Sequence, residues 1–402
     1  MTNNQYKVLV IAAKPMPYMT PVYQLLAQQP QLEIQVAYCH MQGAKLGLDE
    51  DFGVEVEWDI PLLSGYPWME VSNASPRPGL NHFWGLFNWD LWKLASSDRF
   101  DCIIIYTGYV YASFWIVAAA AKLWGKGFIF STDMSTLAPR DRASWKKRLK
   151  PWILPSLYRL GDRIIVSNSL GKQVLHRLGL PEERILLTPS CVDNEGWRDR
   201  ASQVIPQDVR ASWKIPSDAS VVLFCAKFQA WKRPLDLLHA FALAGVAHAY
   251  LLLAGDGPQR EELEAEAQTL QVSDRVRFLG FLNQSQLPSA YCVADLFVLP
   301  SDYEPFGMVV GEAMLCGCAV VASDRVGARA DLVIPGKTGF IYPCGDIEAL
   351  AAILQEWLPQ RDRLQQIGRA ARLRMETWSP RENVAAIVKG IESICPAPRQ
   401  NN

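Results

Sequence analysis

The sequence predicts an α/β protein of two domains, each a parallel sheet wrapped by crossover helices. Three observations lead there. At 402 residues the chain exceeds what one compact core usually organises and suits two domains of roughly 150–200 residues. Short β-branched apolar runs alternate with longer amphipathic stretches, as buried parallel strands joined by helices do. A polar segment rich in prolines then divides this alternation into two series.

In the first series, strands are expected at 7–12, 32–38, 102–106, 127–131, 163–166 and 184–188. The first apolar run is cut off by Lys14, Pro15 and Pro17, so it reads as a buried strand and not as a signal peptide. The break between the series lies near residues 190–215, where Pro189, Pro206 and Pro216 punctuate a polar stretch. Strands of the second series are expected at 220–226, 249–254, 275–279, 296–299 and 319–322. Ser379 is a candidate N-cap and Pro380 a first helical residue for a closing helix, and the last residues are expected to fray. The domains are thus read as 1–195 and 196–380, with a terminal helix and tail at 381–402.

Composition narrows the function classes. Half of the residues are hydrophobic, 20% are charged and the net charge is −1, which excludes a disordered chain and gives no global drive toward nucleic acid. The nine Cys are scattered without a CxxC pair. Reduced thiols are therefore expected, with no metal site and no cofactor. No apolar run reaches the roughly 20 residues of a bilayer span, so the expected location is cytoplasmic, free or peripheral at the membrane's cytoplasmic face. In that setting the Asn73-Ala-Ser tripeptide carries no glycosylation meaning.

The most informative segment is ADLFVLPSDYEPFGMVVGEAMLCGCAVVAS, residues 294–323. It reads as a strand, a loop at 300–305, a helix over 306–316 and a further strand. Ligands of open α/β sheets sit at the carboxyl edge of the strands, where a helix start aims unpaired N–H groups at them. Glu304 and Glu312 flank this turn and can accept hydrogen bonds from sugar and ribose hydroxyls. Gly307 keeps a Cβ away from an incoming ligand. An isolated Glu at either place would be an ordinary solvated acid.

Glu-Pro-Phe-Gly-(x)4-Glu resembles the E-x7-E motif of the large retaining GT-B glycosyltransferase family, family 4. Supporting features follow in that family's order: Lys227 and Lys232 in VVLFCAKFQAWKRP, the turn after AYLLLAGDGP with Gly255, RFLGFL with Phe281, and LVIPGKTGF. The likeness is strong over residues 215–345 and weak before them. It implies two Rossmann-like βαβ domains facing a central cleft, with the closing helix crossing back to the first domain. It further implies transfer of a hexosyl or N-acetylhexosaminyl unit from a UDP- or GDP-sugar, with retention, to a glycan, lipid-linked or small-molecule acceptor through an α-glycosidic bond.

In that reading the departing diphosphate needs fixed positive charge more than a nucleophile. Lys227, Lys232 and the N–H groups of Phe306, Gly307, Met308 and Val309 would supply it in place of a divalent metal. Whether leaving-group oxygens deprotonate the acceptor or a carboxylate forms a short-lived adduct stays open. Three departures from the family stand out. Asp133 occupies the turn that often carries His, and it is a candidate to orient the sugar or accept a proton. KPMPYMTP replaces the Gly-Gly loop, which makes Tyr18 and Thr20 candidate acceptor contacts. Asp331 replaces a longer acid.

The acceptor half is less legible. Residues 81–93 hold five aromatics and His82. An amphipathic core helix from about Trp84 is the ordinary reading, although aromatic faces also stack on sugars and sit at lipid headgroups. Residues 140–160 combine Arg140, Arg142, Lys146, Lys147, Arg148 and Lys150 with Trp145, Trp152 and Ile153. That is the composition of an anionic-membrane contact, with Pro151 and Pro155 interrupting any long helix. Alternatives are a nucleotide-sugar epimerase of the same fold, which would need no acceptor, and a non-catalytic glycosyltransferase-like subunit. A dinucleotide oxidoreductase is disfavoured because no GxGxxG follows the first strand.

Overall fold

The computed structural model describes residues 5–44, 47–49, 54–137 and 144–396, and contains a strand at every place where the sequence predicts one. In chain order the elements begin β1 (Tyr6–Ala12), α1 (Thr20–Ala27), β2 (Leu32–Tyr38), β3 (Gly47–Asp49), β4 (Val54–Val56), β5 (Trp68–Glu70), α2 (Asp90–Ser96), β6 (Cys102–Ile105) and α3 (Ala112–Leu123). Next come β7 (Gly127–Thr132), α4 (Ser144–Tyr158), β8 (Arg163–Val166), α5 (Ser169–Arg177), β9 (Ile185–Leu187), α6 (Asn194–Ser202) and α7 (Pro206–Ser212). The second sheet's elements are β10 (Ser220–Cys225), α8 (Pro234–Ala244), β11 (Ala249–Ala254), α9 (Arg260–Thr269), β12 (Val276–Gly280), α10 (Leu287–Val293), β13 (Leu296–Leu299), α11 (Met308–Leu315), β14 (Ala319–Ser323) and β15 (Gly339–Tyr342). The chain closes with α12 (Ile347–Trp357), α13 (Arg361–Arg374) and α14 (Pro380–Glu392).

These elements form two compact units. One comprises Met1–Gly47, Pro61–Ser190 and Pro380–Asn402, the other Leu48–Ile60 and Cys191–Ser379. The closing helix α14 thus clusters with the first unit, where it packs on α1 and β9 and Asn383 Nδ2 donates to the Pro189 carbonyl at 2.8 Å. Segment 48–60, read from sequence as part of the first domain, clusters with the second unit.

The first unit holds a sheet of order β5-β2-β1-β6-β7-β8-β9, parallel throughout. Buried on both faces, its strands are apolar at consecutive positions. Leu9, Ile11, Ile103, Ile105, Phe128 and Phe130 enter a core shared with residues of α2, α3, α4 and α5. The alternate set, including Val8, Val10, Ile104 and Ile129, is equally buried on the opposite face. The second sheet runs β12-β11-β10-β13-β14-β15, again parallel. Val221, Leu223 and Phe297 point to the side of α10 and α11, and Val222, Phe224 and Val298 to the side of α8 and α12. In each sheet the winding reverses beside the unit's first long strand, at β1/β6 and β10/β13, which opens a crevice at the carboxyl edge. Among the described residues no helix is long and apolar enough to cross a membrane.

Two local expectations are corrected. No α-helix starts near Trp84: a single 3-10 turn covers Phe83–Gly85 and α2 starts at Asp90. Between them Asn88, fully buried, donates from Nδ2 to the Cys39 and Val71 carbonyls at 3.0 and 2.9 Å. Its own N–H meets Ser113 Oγ at 3.0 Å, and these anchors hold the chain out of helical register. The helix over 144–158 runs through both Pro151 and Pro155. Each proline removes one donor, and packing of Leu154, Leu157 and Tyr158 into the core outweighs that loss.

Candidate active site

The second unit's switch point is built by the segments leaving β10 and β13. After β10 the chain passes Lys227, makes a 3-10 turn over Ala230–Lys232 and enters α8 through Arg233, which takes a left-handed conformation. After β13 it runs through Glu304 to Gly307, which caps α11 at φ 97°. The two loops are tied by Asp302 N–H, which donates to the Trp231 carbonyl at 2.8 Å. Lys232 Nζ contacts the Glu304 carboxylate directly, both side chains being only 12–13% exposed. The ammonium also lies 4.3 Å from the centre of the Trp231 ring, a cation–π contact. Lys227 is half-buried.

Glu304 is held by its backbone. It bridges to Val326 in parallel fashion and accepts from Gly327 N–H at 2.9 Å. Gly327 has no room for a side chain, since a Cβ there would lie 1.9 Å from the Pro305 carbonyl. Phe306 is buried and stacks on Trp378 at 6.2 Å and 3°, and this fixes where Met308 and Val309 start the helix. The unpaired N–H groups of its first turn and the helix dipole favour an anion there.

Glu312 lies on the inner face of α11, buried, and accepts from Tyr291 Oη at 2.9 Å. Burial pushes its carboxyl up to about 7, partly offset by the Tyr291 hydrogen bond and the Arg200 charge. Tyr291 was not singled out from sequence. It is an apolar-looking residue of a short helix before β13, and its packing between Trp197 and Phe297 is a tertiary fact with no local signal.

The turn after β11 is pressed against the β10 loop: Phe228 N–H donates to the Asp256 carbonyl at 2.8 Å and Gly255 N–H to the Gly280 carbonyl at 2.8 Å. A Cβ on Gly255 would come within 2.1 Å of the Ala226 carbonyl, and its φ is 134°. Gly255→Ala is therefore expected to cost roughly 2–3 kcal/mol, whereas Gly317→Ala, at φ 88° with open space around it, should cost about 1 kcal/mol. Thermal melting of both variants checks this; equal midpoints would contradict it. Phe281 lies beyond β12, its ring 6.3 Å from that of Trp58. Trp58 arrives on segment 48–60, which is fastened there by Asn283 Nδ2 donating to the Glu57 carbonyl at 2.7 Å and Ser285 N–H donating to Asp59 at 3.2 Å. Trp58 is a second residue absent from the sequence reading, because its partner is more than 200 residues away.

In the first unit Asp133 follows β7 and Tyr18 follows β1, both at the carboxyl edge. Burial raises the Tyr18 phenol, and the Asp133 charge adds to that rise, so the two groups share one neighbourhood. Asp133 is exposed as a residue although protein around its carboxyl pushes it upward by desolvation; water reaching it limits that rise. Thr20 is buried at the start of α1, with its hydroxyl donating to the Leu62 carbonyl at 3.0 Å. His82 is exposed and its Nε2 is 2.9 Å from the Arg77 carbonyl. In the cationic segment 140–160, Arg140 and Arg142, and the side chains of Trp145, Lys146, Lys147 and Arg148, lie outside what the structure describes.

Comparison with known proteins bears on the family and the fold. A family model described as glycosyl transferases group 1 matches residues 207–374, and one described as a glycosyl transferase 4-like domain matches residues 22–191. A sulfoquinovosyl transferase of Arabidopsis thaliana is 29% identical over 65% of this chain and 50% of its own length. A D-inositol 3-phosphate glycosyltransferase of Mycolicibacterium smegmatis is 36% identical over 49% of this chain and 45% of its own. The chain thus spans about half the length of the curated relatives it matches. Among solved structures, Anabaena HepE in complex with UDP covers 96% of this chain and 100% of its own, with a TM-score of 0.74 and 20% identity. A glycosyltransferase of Rickettsia africae covers 97% and 99%, with a TM-score of 0.73 and 16% identity. Two family models that between them take in both halves, laid over a pair of doubly wound parallel sheets, identify the chain as a member of the group 1 glycosyltransferases of GT-B fold.

Proposed function

We propose that this protein moves a hexosyl or N-acetylhexosaminyl unit, with retention, from a UDP- or GDP-sugar to a glycan, lipid-linked or small-molecule acceptor, forming an α-glycosidic bond. The observation that carries the reading is the Lys232–Glu304 contact beside the start of α11. Without donor the two groups neutralise each other. With donor, Lys232 turns to the diphosphate and Glu304 accepts from the sugar's hydroxyls. Lys227 and the N–H groups of Met308 and Val309 add positive potential where the leaving diphosphate gains charge, in the place a divalent metal would otherwise fill. Glu312 receives the ribose hydroxyls, and Gly255 and Phe281 border the base.

On the acceptor side, Asp133 is the proposed group to orient the sugar or take the incoming hydroxyl's proton, with Tyr18 beside it. Thr20 acts by fixing the shape of the loop, and His82 serves as an outlying contact for an extended acceptor. The cationic segment 140–160 favours a lipid-linked acceptor met by peripheral contact at the cytoplasmic face of an anionic membrane. Because the Anabaena structures hold UDP and UDP-glucose, UDP-sugars are the first donors to test. Incubation with UDP- and GDP-sugars and an acceptor panel, followed by NMR of the product's anomeric proton, is expected to show acceptor-dependent donor consumption and an α linkage. A β-linked product would overturn retention, and donor isomerised without acceptor would overturn transfer.

A further inference from the structure

Two thiols of the second unit lie beside the Tyr291–Glu312 hydrogen bond and have no part in the proposed transfer. Cys292 follows Tyr291 on α10, and Cys316 ends α11 one turn after Glu312, whose carbonyl accepts from Cys316 N–H at 3.2 Å. The side chains of Cys292 and Cys316 share a hydrogen bond. The stretch 316–318 is held against the end of α10 by Cys318 Sγ, which donates to the Tyr291 carbonyl at 3.1 Å.

Access sets this pair apart from the other cysteines. Cys292 and Cys316 are half-buried, whereas Cys102 and Cys395, which also share a hydrogen bond, are buried. An oxidant dissolved in water therefore reaches the first pair more readily. Cys344 is half-buried too, but its Sγ lies among oxygens, 3.7 Å from the Ser301 carbonyl and 4.0 Å from Asp302 Oδ1, where a thiolate is disfavoured. We propose that Cys292 and Cys316 are an oxidative modification site: a hydroperoxide joins them in a reversible disulfide, and that bond weakens the hold of Glu312 on the donor.

The pair divides the chemistry between its members. The hydrogen bond from Cys316, helped by the Arg372 charge, lowers the Cys292 thiol below its ordinary value against the opposing effect of burial. The same hydrogen bond, with burial, holds Cys316 well above it. Cys292 is thus the attacking thiolate, and Cys316 keeps its proton for the second step. The thiolate takes one peroxide oxygen, the O–O bond breaks, and the other oxygen leaves as hydroxide. Cys316 Sγ then displaces the sulfenic oxygen, which departs with the Cys316 proton as water while the S–S bond forms. Two electrons pass from the sulfurs to the peroxide. A disulfide is about 2.0 Å long, shorter than any hydrogen bond between thiols, so the ends of α10 and α11 are drawn together. Both ends adjoin the pair in which Tyr291 Oη donates to Glu312 at 2.9 Å, and a displacement of about 1 Å there breaks that bond.

The effect on binding rests on the reading of Glu312 as a donor contact; formation of the disulfide does not. The full chain is treated with hydrogen peroxide, alkylated, digested and mapped by mass spectrometry, and UDP titrations are run before oxidation, after it and after dithiothreitol. A Cys292–Cys316 cross-linked peptide is expected, with UDP affinity lowered by about tenfold and restored by dithiothreitol. Cys292→Ser should bind UDP as reduced wild type does and lose the response to peroxide. Links between other cysteines, a sulfinic acid at Cys292 without a link, or a linked protein that binds UDP undiminished would overturn the proposal. Failure of the reduced protein to bind any nucleotide would instead sink the donor reading, and the peptide map judges the disulfide independently of it.

Discussion

Lys232→Ala is expected to lower turnover by about 10²–10³-fold with an unchanged fold. Lys232 carries its charge into a site where its side chain is 12% exposed, so the ammonium acts through a medium that screens it poorly. Its proposed partner, the departing diphosphate, gains charge only as the glycosidic bond breaks. Loss should therefore fall more on kcat than on KM. The substitution also leaves Glu304, 13% exposed, without its cation, so some loss of stability in the donor-free protein accompanies it. Glu304→Gln is the informative companion, since it frees Lys232 from its counter-charge yet leaves sugar hydroxyls only one neutral amide oxygen as acceptor. Steady-state kinetics on both variants decide the matter: Lys232→Ala within a few fold of wild type would remove Lys232 from the chemistry.

Donor affinity should rise with pH across neutrality, by about tenfold between pH 6 and pH 8, because the ionised Glu312 offers ribose hydroxyls two charged acceptor oxygens where the protonated form offers one neutral one. Its carboxyl is pushed up to about 7, chiefly by burial. The groups facing it are Tyr291 from α10, Arg200 from α6, Cys225 from β10 and Cys316 beyond its own helix. Tyr291→Phe removes the hydrogen bond that favours the charged form, so the affinity midpoint should move to higher pH. Glu312→Gln should abolish the pH dependence and weaken binding throughout. Proton linkage has a matching sign in stability. A carboxyl raised from 4.5 to about 7 on folding stabilises the fold fully below about 4.5, and that contribution is lost as the pH climbs to 7. Nucleotide titrations at several pH values check the first effect and melting curves the second; a flat affinity profile in wild type would contradict it.

Much of this architecture was legible because parallel strands buried on both faces read as unbroken apolar runs. Residues 32–38, 249–254 and 296–299 coincide with β2, β11 and β13. The four strands that sequence did not show are β3 and β4, three residues each in a separate two-stranded pair, and β5 and β15, sheet-edge strands of three and four residues, all too short to establish a period. Around Asn88 the aromatics suggested a helix, but the geometry there is set by a buried side chain bonded to carbonyls of other segments, which local pattern cannot report.

The candidate site divides in the same way. Glu304, Gly307 and Glu312 fall within one strand-turn-helix, where spacing along the chain becomes spacing in the fold. Lys232 was found through the resemblance to the family, which carries a basic pair after this strand, while its contact with Glu304 needed the sheet order that puts β10 beside β13. Trp58 and Tyr291 reach their places by tertiary packing alone.

Calorimetric titration of the full chain with UDP, GDP and their sugars tests most directly whether the turn into α11 grips a nucleotide sugar. At least one ligand is expected to bind in the roughly micromolar to millimolar range, with Lys232→Ala and Glu312→Gln each weakening it by about tenfold or more. Binding of the same strength in wild type and both variants would place the donor elsewhere and contradict the site.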